Sequence, residues 1–167
     1  MSQSIETETS LLSPAAREWV GRTFELSSGV ITAEAVLRYV GATNDRTPAY
    51  RSVDAAGAIG LSRIPAPALL YMGATRPIVP VDELTFDGVT DDRRPPVGEG
   101  AGMAGEISVE FLHPVCVGDS LRGFRTLTDL TLKHGRSRDF VVATWVTEYR
   151  NQDDVVVVRE VAQQILY

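Results

Sequence analysis

From Gly105 to the C-terminus, apolar and polar residues alternate with a period of two, the pattern of strands whose two faces differ in exposure. Glu106-Ile107-Ser108-Val109-Glu110-Phe111-Leu112 alternates up to Pro114, which has no N–H to give a ladder and ends the strand. Val117-Gly118-Asp119 marks a turn, and Ser120 to Leu132 predicts a long second strand with Leu121, Phe124 and Leu127 on its apolar positions. After a turn at His134-Gly135-Arg136-Ser137, Asp139 to Tyr149 predicts a third strand rich in β-branched and aromatic residues. Asn151-Gln152-Asp153-Asp154 then turns into a fourth, Val155 to Tyr167.

The first half has the longer period of helices. Met1 to Leu12 has no period and reads as a flexible tail. Ser13-Pro14 supplies an N-cap and a proline for the first helical position, opening a short helix that carries Trp19 to the domain surface and stops at Gly21. Arg22 to Leu26 alternates as a half-buried strand. Thr32 caps a helix with Val36, Leu37 and Val40 on one apolar face, ended by Gly41. Ser52 and Asp54 open another that Gly60 stops. In Ile64-Pro65-Ala66-Pro67-Ala68-Leu69-Leu70-Tyr71-Met72, two prolines fix φ ahead of an apolar run, so a helix begins near Pro67. With no charge from Ile64 to Thr75, this helix is expected in the core, wrapped on all sides. Residues 76–102, rich in Pro, Asp and Gly, read either as a lid or partner-contacting loop or as a passive surface excursion. Helices in the middle and an antiparallel run at the end give an α+β layer arrangement, with residues 13–167 as one domain.

Composition narrows the function classes. The chain has 167 residues, 44% of them hydrophobic, enough for one core. A net charge of −6 argues against binding to nucleic-acid backbones, which rests on clustered Lys and Arg. The lone Cys116 cannot form an internal disulfide, which fits a reducing cytoplasm. Residues 1–13 lack the basic and apolar regions of a signal peptide, and no run reaches the roughly 18 apolar residues of a membrane span, so a soluble protein without membrane attachment is expected. No His, Cys, Asp and Glu spacing forms a metal site. Gly98-Glu99-Gly100-Ala101-Gly102 follows no strand, so it is not a dinucleotide loop, and no cofactor is expected. Lys133, the single lysine, lies in a turn-like stretch and is discounted as a Schiff base.

Candidate chemistry concentrates between Leu37 and Met72, where Asn44-Asp45-Arg46-Thr47-Pro48-Ala49-Tyr50 offers an amide, a carboxylate and a phenol on one loop. Asp45 also fits an ordinary turn or cap, and Tyr50 fits plain packing with its hydroxyl outward. The N–H groups near Ala68 and Leu69, at a helix start, are unpaired donors able to face a carbonyl oxygen. His113, before Pro114, reads as a structural or surface residue or as a reach into the site, and His134 reads as an exposed turn residue.

In order along the chain, five pieces resemble the MaoC-like, hot-dog family of (R)-specific enoyl-thioester hydratases and 3-hydroxyacyl-thioester dehydratases, in particular its N-terminal, FAS1-type dehydratase branch. They are the Asn44–Tyr50 loop, the Ile64–Leu69 opening of the central helix, the stretch Val109-Glu110-Phe111-Leu112-His113-Pro114-Val115-Cys116-Val117-Gly118-Asp119, and the turns at His134–Ser137 and Thr147–Asp153. The resemblance implies a hot-dog fold, an antiparallel sheet wrapped around a long central helix. It also implies acyl thioester substrates on coenzyme A or acyl carrier protein, and pairing as a homodimer or as a heterodimer with a second hot-dog subunit. Catalytic members place an Asp and a His five residues apart on one loop. Asp45 falls on the Asp position and is the expected catalytic residue, whereas Tyr50 occupies the His position and Thr47 that of an intervening Asn. Tyr50, Ala66, Ala68 and Leu69 are then the expected substrate-binding residues. The alternatives are a noncatalytic acyl-binding partner subunit, which Tyr50 favours, and a hot-dog thioesterase, which ordinarily needs a carboxylate on the central helix.

Overall fold

A computed structural model describes residues 11–76, 79–84, 94–98 and 102–167. Its strands are β1 (Thr23–Glu25), β2 (Gly29–Val30), β3 (Gly102–Phe111), β4 (Ser120–His134), β5 (Asp139–Arg150) and β6 (Val156–Leu166). They form an antiparallel sheet in the order β1-β4-β5-β6-β3, with β2 also on β4. The period-two segments therefore all become strands. β4, β5 and β6 follow one another as hairpins, while β3 pairs with β6 and, among the described residues, leaves its other side as the sheet edge.

The short helices are α1 (Pro14–Arg17), α2 (Ala33–Ala42), α3 (Val53–Gly57) and α4 (Leu70–Thr75). Their starts follow the capping chemistry. The side chains of Ser13, Thr32 and Ser52 accept from the N–H groups of Ala16, Ala35 and Ala55 at 3.1, 3.1 and 3.4 Å. The end of α2 departs from expectation. The helix runs through Gly41, and Asn44, at φ 53°, reverses the chain. Asp45 N–H donates to the Val40 carbonyl at 2.9 Å and Asn44 N–H to that of Gly41 at 3.3 Å, which is a Schellman closure with asparagine in the left-handed position. Val36 and Val40 are buried as expected, but Leu37 is 50% exposed.

The expected long helix from Pro67 is shorter, because Pro65 and Pro67 hold residues 64–66 extended. Ala66 N–H donates to Val115 O at 2.7 Å and Val117 N–H to Ile64 O at 2.8 Å, so regular helix begins only at Leu70. α4 is buried through Tyr71 and Thr75, while Gly73 stays exposed, so it is not covered on every face. Gly29 lets β2 approach it: a Cβ there would sit 1.7 Å from the Ala74 carbonyl oxygen.

Two clusters fill the inner side of the sheet. One gathers Leu127, Leu130, Val141, Ala143, Trp145 and Leu166 with Leu12 and Ala16. Leu12, placed with the tail by composition, is thus a core residue at 5% exposure. The rest of that tail, residues 1–10, and most of the expected loop at 76–102 lie outside the described residues. The second cluster gathers Ile31, Val36, Val40, Tyr71, Val115, Leu121, Tyr149, Val157 and Val158. Among the described residues no helix is long and apolar enough to cross a membrane.

Candidate active site

The second cluster opens on a cavity of about 370 Å³, lined by Tyr50, residues 65–68, Tyr71 and residues 111–115. Each wall comes from a different device. Tyr50 is placed by the Schellman reversal and a 3₁₀ turn at Pro48–Tyr50, whose buried Ala49 anchors it. Residues 64–66 are held extended against Val115 and Val117, and the turn that Leu70 N–H closes on Pro67 O places Ala68. Residues 112 and 113 are fixed at the end of β3, where Leu112 and His113 N–H groups share the Val157 carbonyl at 2.9 and 3.2 Å. Below them, the buried Asp119 carboxylate binds the Arg63 guanidinium and accepts from Cys116 N–H at 2.8 Å, which locks the turn.

The expected site residues divide. Tyr50, Ala66 and Ala68 line the cavity together. Asp45 and Leu69 are not part of its walls, and Leu69 is exposed. The Asp45 carboxylate accepts from Thr47 N–H at 2.9 Å, and its carbonyl oxygen accepts from the Arg51 guanidinium at 2.9 Å. The Thr47 backbone N–H, aided by the Thr47 side chain and the Arg51 charge, holds the Asp45 carboxyl below the usual carboxylate range. Asp45 is a turn-forming carboxylate of weakened basicity. Burial pushes the Tyr50 phenol above its ordinary value, with the Asp45 and Tyr39 charges adding to it. It therefore keeps its proton across the range in which an imidazole titrates. Among the described residues, the backbone N–H groups of Ala68 and Leu69 meet no backbone acceptor, whereas Leu70 N–H already donates to Pro67 O at 2.9 Å.

Of the wall residues that the sequence did not assign to substrate binding, two carry polar groups, and for His113 a reach into the site was one of its two readings. His113 borders the mouth and supplies the imidazole of the cavity. Tyr71 forms the inner wall at 1% exposure, and its hydroxyl donates to Glu160 Oε2 at 3.0 Å. Glu160 is itself only 8% exposed. Tyr71 meets Tyr149 edge-on at 4.7 Å between ring centroids and Phe111 at 6.1 Å. Burial first, then the charge of Glu160, raises the phenols of Tyr71 and Tyr149, that of Tyr149 to about 12. The signal for this pair was that Glu160 shares the inward-facing register of β6 with the buried Val158. No group of three or more His, Cys, Asp or Glu side chains suited to a metal occurs among the described residues.

A sheet wound over a short apolar helix, with an apolar cavity where the helix begins, defines a hot-dog domain. The model of the FAS1-like, dehydratase domain region matches residues 18–160. The chain belongs to that family. Among solved structures it is similar to a chain of the ChsH1–ChsH2 complex from Mycobacterium tuberculosis, at 15% identity and TM-score 0.73, covering 93% of this chain and 90% of that one. It is similar to the MaoC-like dehydratase from Rhodospirillum rubrum, at 19% identity and TM-score 0.65, covering 89% and 92%. An (R)-hydratase from A. caviae involved in PHA biosynthesis matches at 21% identity and TM-score 0.61, covering 89% and 96%. No curated protein sequence matches the chain.

Proposed function

We propose that this chain is the acyl-thioester-binding subunit of a 3-hydroxyacyl-thioester dehydratase or enoyl-thioester hydratase, and that a second hot-dog chain supplies the proton-transfer pair. One observation carries the reading. The position that should hold the imidazole holds Tyr50, a proton-retaining phenol on the wall of an apolar cavity, while Asp45 is tied into a turn outside that wall. Dehydration takes a proton from the α-carbon and breaks the β-carbon–oxygen bond, the hydroxyl leaving as water once protonated; hydration reverses both. Neither Tyr50 nor Asp45 is equipped to cycle a proton near neutrality. What this half does supply is an apolar sleeve for the acyl chain and the Ala68 N–H for the thioester oxygen as negative charge develops there.

The edge strand supports the partner. β3 is ten residues long, its outer side has no partner strand among the described residues, and Met103, Ile107 and Phe111 are about half exposed along it. Such an edge invites pairing. Because Phe111, Leu112 and His113 also line the cavity, a chain docked on β3 borders the mouth. Two of the solved structures this chain is similar to, the ChsH1–ChsH2 and HadBC complexes, are themselves complexes, which is in keeping with this.

The test offers the purified chain a short 2-enoyl-CoA and the same acyl group on acyl carrier protein, following ligand binding, loss of the enoyl group and release of free thiol. Saturable binding without turnover, with hydration appearing when a co-purified hot-dog partner is added, supports the proposal. Hydration by the lone chain contradicts it, and its loss in His113→Gln would then move the base to the end of β3. Thiol release would make the chain a thioesterase, a reading disfavoured by the lack of a carboxylate among the described walls.

A further inference from the structure

The cavity is graded from mouth to floor. Ala68, Leu112, His113 and Pro114 are exposed, while Pro67, Val115 and Tyr71 are buried, and Tyr71 is the largest side chain at the inner end. That phenol is held from several directions. Its hydroxyl donates to Glu160, its ring meets Tyr149 and Phe111 edge-on, and the Thr75 hydroxyl one turn along α4 donates to its carbonyl at 3.0 Å. Burying a carboxylate beside an aromatic cluster is costly unless it is hydrogen-bonded, and Tyr71 is the side-chain donor that Glu160 has among the described residues. An apolar residue at 160 would fill the same inward register position between Val109 and Thr147 without that cost. The carboxylate gains a purpose if it fixes where the Tyr71 ring stands.

We infer that Tyr71, clamped by Glu160, is the floor that limits acyl length and makes this pocket selective for short acyl chains. The inference rests on the acyl-thioester reading above and adds its substrate class. Tyr71 lies three residues beyond Ala68, across the turn that Leu70 N–H closes on Pro67 O, so few residues separate it from the donor that would meet the thioester oxygen. A volume of about 370 Å³ is also near the lower end for ligand pockets. Tyr71 acts as a specificity-determining wall, and Glu160 is a positioning residue that works through it.

The test is a binding series on the full chain with crotonyl-, octenoyl- and dodecenoyl-CoA. The wild type is expected to bind crotonyl-CoA most tightly. In Tyr71→Ala the floor is removed, and the affinity ratio of dodecenoyl to crotonyl should rise by roughly tenfold or more, the worth of about two further buried methylenes. Should that variant fail to fold, Tyr71→Leu, which retains apolar volume, decides by the same ratio with a smaller rise. Glu160→Gln keeps an acceptor for the phenol and should hold the wild-type order, whereas Glu160→Leu should relax it. A purely structural role would lower all three affinities alike and leave the ratio unmoved, and an unmoved ratio in a folded Tyr71 variant overturns the inference alone. Failure of the wild type to bind any of the three thioesters overturns the acyl-binding reading, and the floor with it.

Discussion

The same strands build two unlike ends of one core. At one end, β5 and β6 contribute Val141, Ala143, Trp145 and Leu166, which close with Leu127 and Leu12 into a cluster without an ionisable member. At the other, β5 contributes Thr147 and Tyr149, and β6 contributes Val158 and Glu160; these meet Tyr71 beside an open cavity. Stability and site are divided along the strand direction. The first end is packed from aliphatic side chains around the Trp145 ring, with the Arg125 guanidinium over it, and the second retains polar groups that hold a wall in place. A cavity is kept beside a core where the polar side chains that face inward hold one another, as Tyr71 and Glu160 do, while the apolar cluster at the other end has no such opening among the described residues.

The largest break in this comparison is expected at the sealed end. Trp145→Ala empties a side chain that is 1% exposed, crossed by the Arg125 guanidinium 4.1 Å from the ring centroid. It should cost about 3–5 kcal/mol in denaturant unfolding, with a matching fall in melting temperature. The polar end should show itself through pH. Tyr149, raised to about 12 from an ordinary value of about 10, holds its proton more tightly in the folded state than in the unfolded one. Its stabilisation is complete below about pH 10 and is lost as pH rises through the folded value, roughly 2–3 kcal/mol in total. Tyr149→Phe should flatten the alkaline limb of the stability profile between about pH 10 and 12. An unchanged limb would place the titration elsewhere.

A smaller effect sharpens the contrast within the polar end. Tyr71→Phe keeps the ring but leaves the buried Glu160 carboxylate without its phenol, at about 1–3 kcal/mol. Replacing Glu160 by Leu in that background should recover part of the loss, so a double-mutant cycle should return a coupling energy well away from zero. Least of all is expected from Asp45→Asn. The new amide oxygen can still accept from Thr47 N–H, so the melting temperature should not move, and hydration by the assembled pair should persist if the partner carries the base.

The sheet was legible because a period of two is a local property, and each alternating segment from Gly105 onward became a strand. The position of β3 beside β6 was not, because which strands pair depends on contacts across tens of residues. The apolar run ahead of Met72 gave the place of α4 but overstated its length, since the prolines that free a helix start also favour the extended bridge to Val115 and Val117. Leu37 was misplaced on a buried face because Val36 and Val40, one turn apart, mark the covered side of the helix, and residue 37 is rotated by about 100° from residue 36 toward the open side. At the site, Asp45 and Tyr50 drew notice through one short loop and a family resemblance. His113 and Tyr71 were obscured for different reasons. A histidine before proline looks like a strand end wherever its side chain points, and a tyrosine in an uncharged helix looks like core. The partner that reveals its role, Glu160, is 89 residues away.

The central claim is that the polar end of the core binds an acyl thioester that this chain alone does not transform. The most direct measurement is a calorimetric titration of the purified chain with crotonyl-CoA, with the enoyl absorbance followed in the same mixture. The account predicts saturable binding and an enoyl signal that stays constant until a second hot-dog subunit is added. Steady hydration by the lone chain, or no binding at all, would contradict it.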